Sequence, residues 1–478
     1  MELENANKQK AFIKNVAFVT VSNVLTLFVG ILSGFLIPKI LSINDYGYYK
    51  TFALYTTYVG VFHFGFIDGV LLKFAGKSKE EIDLHHFRTI FRFLVVFELL
   101  VTICGICVAF FFLNSQIKWI FVFIAINLFS VNITSFYEYI VQITMDFKRL
   151  SIRSVIRTSI QFIALAILVA VYFVTGINVN PFIYIGLLVF INYFLLLWYL
   201  ISYKDFLFGK AVSFKISSVF PYFKRGFPLM VCNLVVMLIC AIDQIFVNVL
   251  FDNETYAYYA FAYSMVGVLM TMTSAISIVL FPTLKSFKGD TIKKYAAFNS
   301  YLLIFAGASL ASYQVFRFVV LHFLQKYTIS LDVLRVVIPI VLITSSITVV
   351  KYNFYKKDNM ILPCFIETLI VLLLSIGADA VVYLLFRNTL SISIISIIVC
   401  CLWYLIVEIY FCQKNKLGWF KNFAYLVLLL IGYYSLMLID YLYFTFVIYL
   451  VFFFSLTGIF YKDIINERVR LFKNRQTV

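Results

Sequence analysis

The stretch Leu390–Gln413 reads LSISIISIIVCCLWYLIVEIYFCQ and carries a single charged residue, Glu408. About 20 mostly apolar residues are enough for a helix to cross a bilayer, and this stretch is one of fourteen of that kind. Their predicted limits are 15–39, 48–74, 89–113, 118–145, 153–175, 181–203, 227–250, 255–284, 295–321, 333–355, 361–386, 390–413, 420–439 and 441–461. Only Asp440 separates the last two, so twelve or thirteen spans is the alternative count. The pattern predicts an all-α polytopic membrane protein with about 14 transmembrane helices.

The composition of the 478-residue chain points to the same class. Hydrophobic types make up 63% of it and charged types 13%, whereas a soluble domain averages about 25% charged residues. A water-soluble fold would expose large apolar patches, and a disordered chain or a small disulfide scaffold is excluded as well. The formal net charge of +16 would suggest nucleic acid as the partner of a soluble protein. In a membrane protein it does not, and we expect no nucleic-acid partner.

Lys and Arg residues are distributed very unevenly between the two sets of alternate loops. Of 39 such residues, the loops and span ends opposite the N-terminus hold only Lys39, Lys50, Lys118, Arg317, Lys326, Arg335 and Arg387. Cytoplasmic loops carry the excess of cations in membrane proteins. Both termini are therefore predicted to be cytoplasmic, and most of the surplus charge marks the cytoplasmic face.

Spans 1–2 and 7–8 resemble each other at a constant shift of 210 residues, seen for example in Tyr46 and Tyr256 or Tyr48 and Tyr258. Six spans separate the copies, so both enter the membrane in the same direction, as in a parallel repeat. This predicts two six-helix lobes followed by two further helices. The expected divisions are an N-lobe at 1–203, a cytoplasmic linker at 204–226, a C-lobe at 227–413, and helices 13 and 14 with a cytoplasmic tail at 414–478.

Three segments carry a resemblance to a known family. They are Ile40–Tyr49 (ILSINDYGYY), Gly65–Gly76 (GFIDGVLLKFAG), and a set within 224–284 that includes KRGFPL, Asp243-Gln244, YAYYA and LFPTL. Together they resemble the polysaccharide-transporter branch of the multidrug/oligosaccharidyl-lipid/polysaccharide (MOP) exporter superfamily, with Wzx-type flippases as the nearest match. The resemblance covers roughly the first 290 residues. One departure is Gln244, because the family often has Arg or Lys after the aspartate of span 7.

The resemblance implies a MATE-like fold and a carrier, not an enzyme. Such proteins move an undecaprenyl-pyrophosphate-linked oligosaccharide, the repeat unit of O-antigen, capsule or exopolysaccharide, across the bacterial inner membrane by alternating access. Glycan polymerase machinery is an expected partner. Three alternatives remain open: an ion-coupled multidrug antiporter of the same fold, a lipid II flippase, and a membrane glycan polymerase or ligase. The short outer loops disfavour the last. The chain has no Walker-type loop and no metal-site spacing, so we expect neither a cofactor nor a metal.

Cations near the cytoplasmic ends of spans 2 and 5 are the candidate contacts for the pyrophosphate. Arg153 and Arg157 lie on one face of span 5, and guanidinium groups pair well with phosphate oxygens. Lys73, with Asp68 on the same span, is predicted to contact the headgroup or to form an inner gate. The alternative is structural, since Arg153 can belong to an ion-pair ladder with span 4 and Lys73 can reach the interface.

Ionisable residues deep within other spans are the candidates for ion coupling or lobe pairing, because burying them in a membrane is costly. These are Asp243, Glu98 and Arg317, and Asp379 shares their depth. The residues at the first outer turn of each repeat are predicted to form an outer gate; they are Asp45, Tyr46, Tyr48, Tyr256 and Tyr258.

Overall fold

A computed structural model of the chain describes residues 22–74, 83–143, 147–212, 216–286, 291–357, 361–439 and 441–463. The first residues of predicted span 1, Asp440 and the C-terminal tail lie outside these ranges. The regular secondary structure of the described residues is helical throughout. The chain divides into two compact units, Met1–Met237 and Leu238–Val478, each of which is described by itself.

The first unit is built from nine helices within the described residues. They are α1 (Ser22–Ile40), α2 (Ile43–Thr56), α3 (Phe66–Phe74), α4 (Leu84–Phe112), α5 (Ser115–Ile143), α6 (Phe147–Thr175), α7 (Pro181–Ser202), α8 (Lys204–Leu207) and α9 (Ile216–Ile239), whose last two residues belong to the second unit. A short 3₁₀ helix, Val59–His63, follows α2.

The helices of the second unit are on average shorter and more often interrupted. They are α10 (Ile242–Leu250), α11 (Asn253–Ser286), α12 (Thr291–Ser309), α13 (Ser312–Phe323), α14 (Ser330–Val337), α15 (Ile340–Ser345), α16 (Tyr352–Lys357), α17 (Ile361–Phe386), α18 (Thr389–Lys414), α19 (Phe420–Leu436) and α20 (Leu442–Phe460). A π-helical segment, Ser346–Lys351, joins α15 to α16.

The helices confirm a multi-pass membrane protein. Within the described residues, eleven helices are long and apolar enough to cross a membrane, and the bent pair Ile43–His63 and Phe66–Phe74 brings the number to twelve. Helices also occupy the other two predicted spans, as α11 and the shorter α19, but these do not pass the same test. The predicted count of fourteen is therefore close to the structure without being reproduced by it. The final hairpin consists of two separate helices, α19 and α20.

Large apolar side chains cover the outside of both units. Val174 and Phe111 are 86% and 83% exposed. In water such side chains would form aggregation-prone apolar patches, but they suit a surface that faces lipid tails. Inside the first unit, aromatic side chains of α3, α4, α5, α7 and α9 form a packed cluster around Phe66, Phe136 and Tyr222. The cluster fixes the half of this unit in which Lys73 and Arg153 lie.

The repeat predicted from the sequence has a structural counterpart at the turns that follow α1 and α10. Helices α1 and α10 end at Ile40 and Leu250, so their ends differ by the same 210 residues that separate Tyr46 from Tyr256. Ser42 accepts a hydrogen bond from the Asp45 backbone and donates to its carboxylate. In the second copy the hydroxyl and carboxylate residues change places. Asp252 is the capping residue there, and it accepts hydrogen bonds from both the backbone and the hydroxyl of Thr255. These bonds hold the pKa of Asp252 below its usual range.

Span 2 is broken near its middle by a bend of 60° between the two parts. Phe64 and Gly65 have φ angles of 49° and 77° at the break, a region that glycine adopts without strain. Gly65 and Gly69 pack directly against the backbone of α9, where a Cβ on either would overlap Gly226 or Tyr222. Small residues at 65 and 69 are what allows the two backbones to approach this closely.

Candidate functional site

Arg153 is held inside the first unit by partners on two neighbouring helices. Its guanidinium forms an ion pair with Glu138 of α5, donates to the Tyr199 hydroxyl at 3.2 Å, and lies 4.6 Å from the centre of the same ring. The side chain is buried. This arrangement is the ion-pair ladder that the sequence allowed as its structural alternative. A role for Arg153 in binding pyrophosphate stays a prediction.

Arg157, one turn further along α6, lies in a different environment. Its side chain is exposed, and within the described residues it forms no ion pair. Helix α6 begins at Phe147, so at 1.5 Å per residue Arg157 is about 15 Å from the start of the helix. Arg153 is paired with Glu138, whereas Arg157 has an exposed side chain and interacts electrostatically with both Arg153 and Glu138.

Asp68 lies just beyond the break in span 2 and is buried. Tyr139 of α5 donates to its carboxylate at 3.3 Å. On the other side of the break, His63 Nδ1 accepts a bond from the Gly65 backbone at 3.0 Å, so in the neutral ring the hydrogen is on Nε2, which lies 3.8 Å from Asp68. His63 and Asp68 therefore bracket the bend, and their contacts are local to it.

Lys73 is joined to α9 and α4 through Tyr222, a residue that the sequence did not single out. The Lys73 ammonium donates to the Tyr222 hydroxyl at 2.8 Å and lies 4.7 Å from the centre of its ring. The hydroxyl hydrogen is then free to bond His86 Nε2, also at 2.8 Å. This chain of contacts fixes an exposed ammonium at the end of α3, beside α9, in the half of the unit that contains Arg153.

Glu98 is completely buried between α4 and α5. Asn132 of α5 donates to one of its carboxylate oxygens at 2.9 Å and reaches the Val59 carbonyl at 3.3 Å. The second carboxylate oxygen has no hydrogen-bond partner. A buried carboxyl group in this setting can hold a proton, and no cation contacts it within the described residues.

The residues predicted to form an outer gate divide into two groups by burial. Tyr46 and Tyr256 are each 1% exposed, whereas Tyr48 and Tyr258 are half-buried. Asp45 is engaged in the helix cap described above. Since the most buried members are core residues of their own units, gating by this set stays a prediction, as does the role of the half-buried Arg317 on α13.

Asp243 lies at the start of α10 and is the centre of a polar cluster within the second unit. The hydroxyl groups of Tyr259 and Tyr263 both donate to one of its carboxylate oxygens, and the backbone of Gln244 donates to the other at 2.8 Å. A small cavity beside it, with room for about one water molecule, is lined also by Ser375, Ser396 and Thr344.

Asp379 of α17 belongs to the surroundings of this cluster. It is 1% exposed, its charge interacts with that of Asp243, and neither of its carboxylate oxygens has a hydrogen-bond partner. Two neighbouring carboxyl groups away from water repel when both are ionised. Protonation of one of the two carboxyl groups therefore stabilises this arrangement. The sequence placed each aspartate within a span but did not bring them together.

Lys351 is the largest difference from the sequence analysis, which counted it among the cytoplasmic loop cations. It is completely buried at the end of the π-helical segment, 2.7 Å from the Glu408 carboxylate and 3.7 Å from the centre of the Tyr404 ring. Tyr295 and Asn422 donate to the same carboxylate at 3.0 and 3.1 Å. The pair ties α12, α18 and α19 to the π-helical segment.

Comparison with known proteins adds a family and a fold. A family described as "Polysaccharide biosynthesis protein" matches residues 36–311. The solved structure of a lipid II flippase, MurJ, in an inward closed conformation is similar at a TM-score of 0.72 with 16% identity, covering 95% of this chain and 100% of that chain. An inward-facing multidrug resistance MATE family transporter of the MOP superfamily gives a TM-score of 0.60 with 11% identity, over 82% and 96% of the two chains. At these identities the similarity shows the fold alone. No protein of curated function matches.

Proposed function

Since the chain belongs to the polysaccharide biosynthesis protein family and has the fold of MOP-superfamily transporters, we propose that it is a lipid-linked oligosaccharide flippase. It moves an undecaprenyl-pyrophosphate-linked repeat unit of O-antigen, capsule or exopolysaccharide from the inner to the outer leaflet of the bacterial cytoplasmic membrane by alternating access. Both termini lie in the cytoplasm, and glycan polymerase machinery consumes the product.

The observation that carries this proposal is Arg157. An exposed guanidinium within a predicted span is costly unless it meets an anion, and its neighbour Arg153 is paired with Glu138. A pyrophosphate offers a guanidinium two or more oxygens in the geometry it binds best. A carrier of cationic small molecules would need the opposite charge at this position.

Lys73 supplies a second cation in the same unit. Its ammonium has a fixed position because Tyr222 and His86 hold it, and its side chain remains exposed. We assign it to the headgroup together with Arg157, with Asp68 setting the bend of span 2 on which Lys73 depends. Arg153 then acts as a positioning residue, since its ion pair fixes the face of α6 that carries Arg157.

Transport is coupled to a proton or a monovalent cation at Asp243 and Asp379 in the second unit. The support for this step is the pair of buried carboxyl groups with two unsatisfied oxygens on Asp379. Away from water, the free energy of this pair is much higher when both carboxyl groups are charged than when the pair is neutralised. An ion that binds only one conformation can therefore bias the conformational equilibrium.

The test replaces Arg157 by Gln in the chromosomal gene of the native host, with Arg157→Lys as the conservative variant. Arg149→Gln is the matched control, because Arg149 lies on the same helix nearer its end and contacts the Tyr203 ring. We expect Arg157→Gln to lower surface polysaccharide at least tenfold while lipid-linked oligosaccharide accumulates in the inner leaflet. The conservative variant Arg157→Lys should export part of the wild-type amount of polysaccharide. The control variant Arg149→Gln should keep most of the wild-type export.

Two results would overturn the proposal, each at normal protein level. The first is unchanged surface polysaccharide in Arg157→Gln. The second is accumulation of peptidoglycan precursor without any defect in polysaccharide, which would identify a lipid II flippase instead. A change in drug resistance alone would identify a multidrug antiporter.

A further inference from the structure

An apolar groove runs along the first half of α9 and is lined on its other side by the break in span 2. The groove is shallow and open along most of its surface, encloses about 550 Å³, and is lined by Phe64, Phe220, Phe223, Lys224, Phe227 and Pro228. The five residues from α9 recur at helical spacing and so form one stripe along the helix. All six belong to the first unit.

The groove is built on a fixed floor and has accessible walls. Phe223 packs against Phe66, Phe93 and Phe97, with ring centres 4.9–6.0 Å apart, which anchors the floor in the core of the unit. The wall residues Phe220 and Phe227 are 64% and 49% exposed. An occupant can therefore contact several aromatic faces without displacing any packed side chain.

Lys224 distinguishes this groove from an ordinary lipid-facing surface. It lies in the middle of the phenylalanine stripe, it is exposed, and no acidic partner contacts it within the described residues. Lys224 lies in the first half of α9, at a position that the sequence analysis assigned to the linker 204–226. An exposed ammonium group beside exposed phenylalanine rings offers a charged contact and an apolar contact to the same ligand. The combination suits a ligand with an anionic head and a hydrocarbon tail.

We propose that this groove binds the phosphate-proximal part of the polyprenyl tail of the lipid-linked substrate, with the Lys224 ammonium on the first phosphate. The proposal rests on the proposed function and deepens it, because it gives the tail a site of its own. The aromatic walls stabilise a bound hydrocarbon chain through contact area, since about 25 cal/mol is gained per Å² of apolar surface buried. The groove is too small for a whole C55 tail, so the remainder stays in the bilayer.

The experiment measures binding of undecaprenyl phosphate to the purified full-length protein in detergent by native mass spectrometry. The uncharged alcohol undecaprenol and the phospholipid phosphatidylglycerol serve as comparison probes. The variants are Phe220→Ala and Lys224→Gln, both at exposed positions where the fold is expected to persist. The matched controls are Phe190→Ala, which removes an equally exposed ring from α7, and Lys210→Gln, which removes an exposed cation outside the groove.

We expect Phe220→Ala to weaken undecaprenyl phosphate and undecaprenol alike by about fivefold, consistent with roughly 1 kcal/mol of lost apolar contact. Lys224→Gln should weaken undecaprenyl phosphate about tenfold and leave undecaprenol unchanged, and both control variants should bind like wild type. Two results would overturn the proposal, because each would show a nonspecific lipid annulus. The first is an equal loss of affinity in the groove variants and the control variants. The second is displacement of undecaprenyl phosphate by equimolar phosphatidylglycerol.

The two proposals fail in different ways. If wild type binds undecaprenyl phosphate and the groove variants do so equally well, the groove is wrong while the flippase function stands. If wild type binds none of it, both are wrong.

Discussion

Replacing Lys351 by Met should destabilise the second unit strongly, because it leaves the Glu408 carboxylate buried without its cation. At the 2.7 Å separation of this pair, and with an effective dielectric constant of about 20, the Coulomb attraction is roughly 6 kcal/mol. Part of it offsets the desolvation of both groups, so removing one partner costs about 3–5 kcal/mol. For a unit of this size, about 2–4 °C per kcal/mol gives a fall of about 6–20 °C in Tm.

The assay is thermal unfolding of the purified protein in detergent, with Arg335→Gln as the matched control. Arg335 and Asp332 also form an ion pair, at 3.5 Å, but Arg335 is only half-buried and Asp332 is exposed, and pairs at the surface contribute about 0–1 kcal/mol. The double variant Lys351→Met/Glu408→Gln should recover most of the loss, because Tyr295 and Asn422 can still bond the neutral amide. If Lys351→Met lowers Tm no more than Arg335→Gln does, or if the double variant is less stable than Lys351→Met, the reasoning is refuted.

Three further outcomes follow from other contacts. Gly226→Ala should lower Tm by several degrees because a Cβ there overlaps the backbone of α3, whereas Gly267→Ala, with open space around it, should not; equal Tm values would contradict the packing. Asp379→Asn should raise Tm, since it relieves repulsion with Asp243, and should abolish the pH or sodium dependence of transport in proteoliposomes; retained dependence would exclude the pair as the coupling site. Arg153→Ala should cost about 1–3 kcal/mol in thermal unfolding, whereas an unchanged Tm would show that its ion pair contributes nothing.

Much of the helical architecture was accessible from the apolar pattern. The predicted limits 361–386 coincide with α17, and those of the other spans differ from the helices mostly by a few residues. The reason is that a bilayer imposes a single demand, about 20 apolar residues with internally satisfied backbone groups, and a linear sequence displays it directly. The repeat was also visible in the sequence. Its matching residues are 210 positions apart, and the ends of α1 and α10 are separated by the same number.

Interruptions of the helices were not predicted. Span 7 is divided between Ile239 and Ile242, and span 10 contains a π-helical segment ending at Lys351. Nothing in the local sequence separates these sites from continuous apolar helix, because the apolar pattern reports burial and not backbone conformation. The break at Gly65 had a local signal, the glycine itself, but Gly60 and Gly69 in the same span offered an equal one.

The sequence by itself determined that this is a multi-pass helical membrane protein, which end of each span carries the cations, and which ionisable residues are deep. Only the tertiary structure decided which of those residues are already neutralised and which remain available. Arg153 has its partner in Glu138 while Arg157 is exposed, Lys351 is buried against Glu408, and the charges of Asp243 and Asp379 interact. Hydropathy depends on each residue alone, whereas neutralisation depends on pairs that are far apart in the chain and meet only when the helices pack.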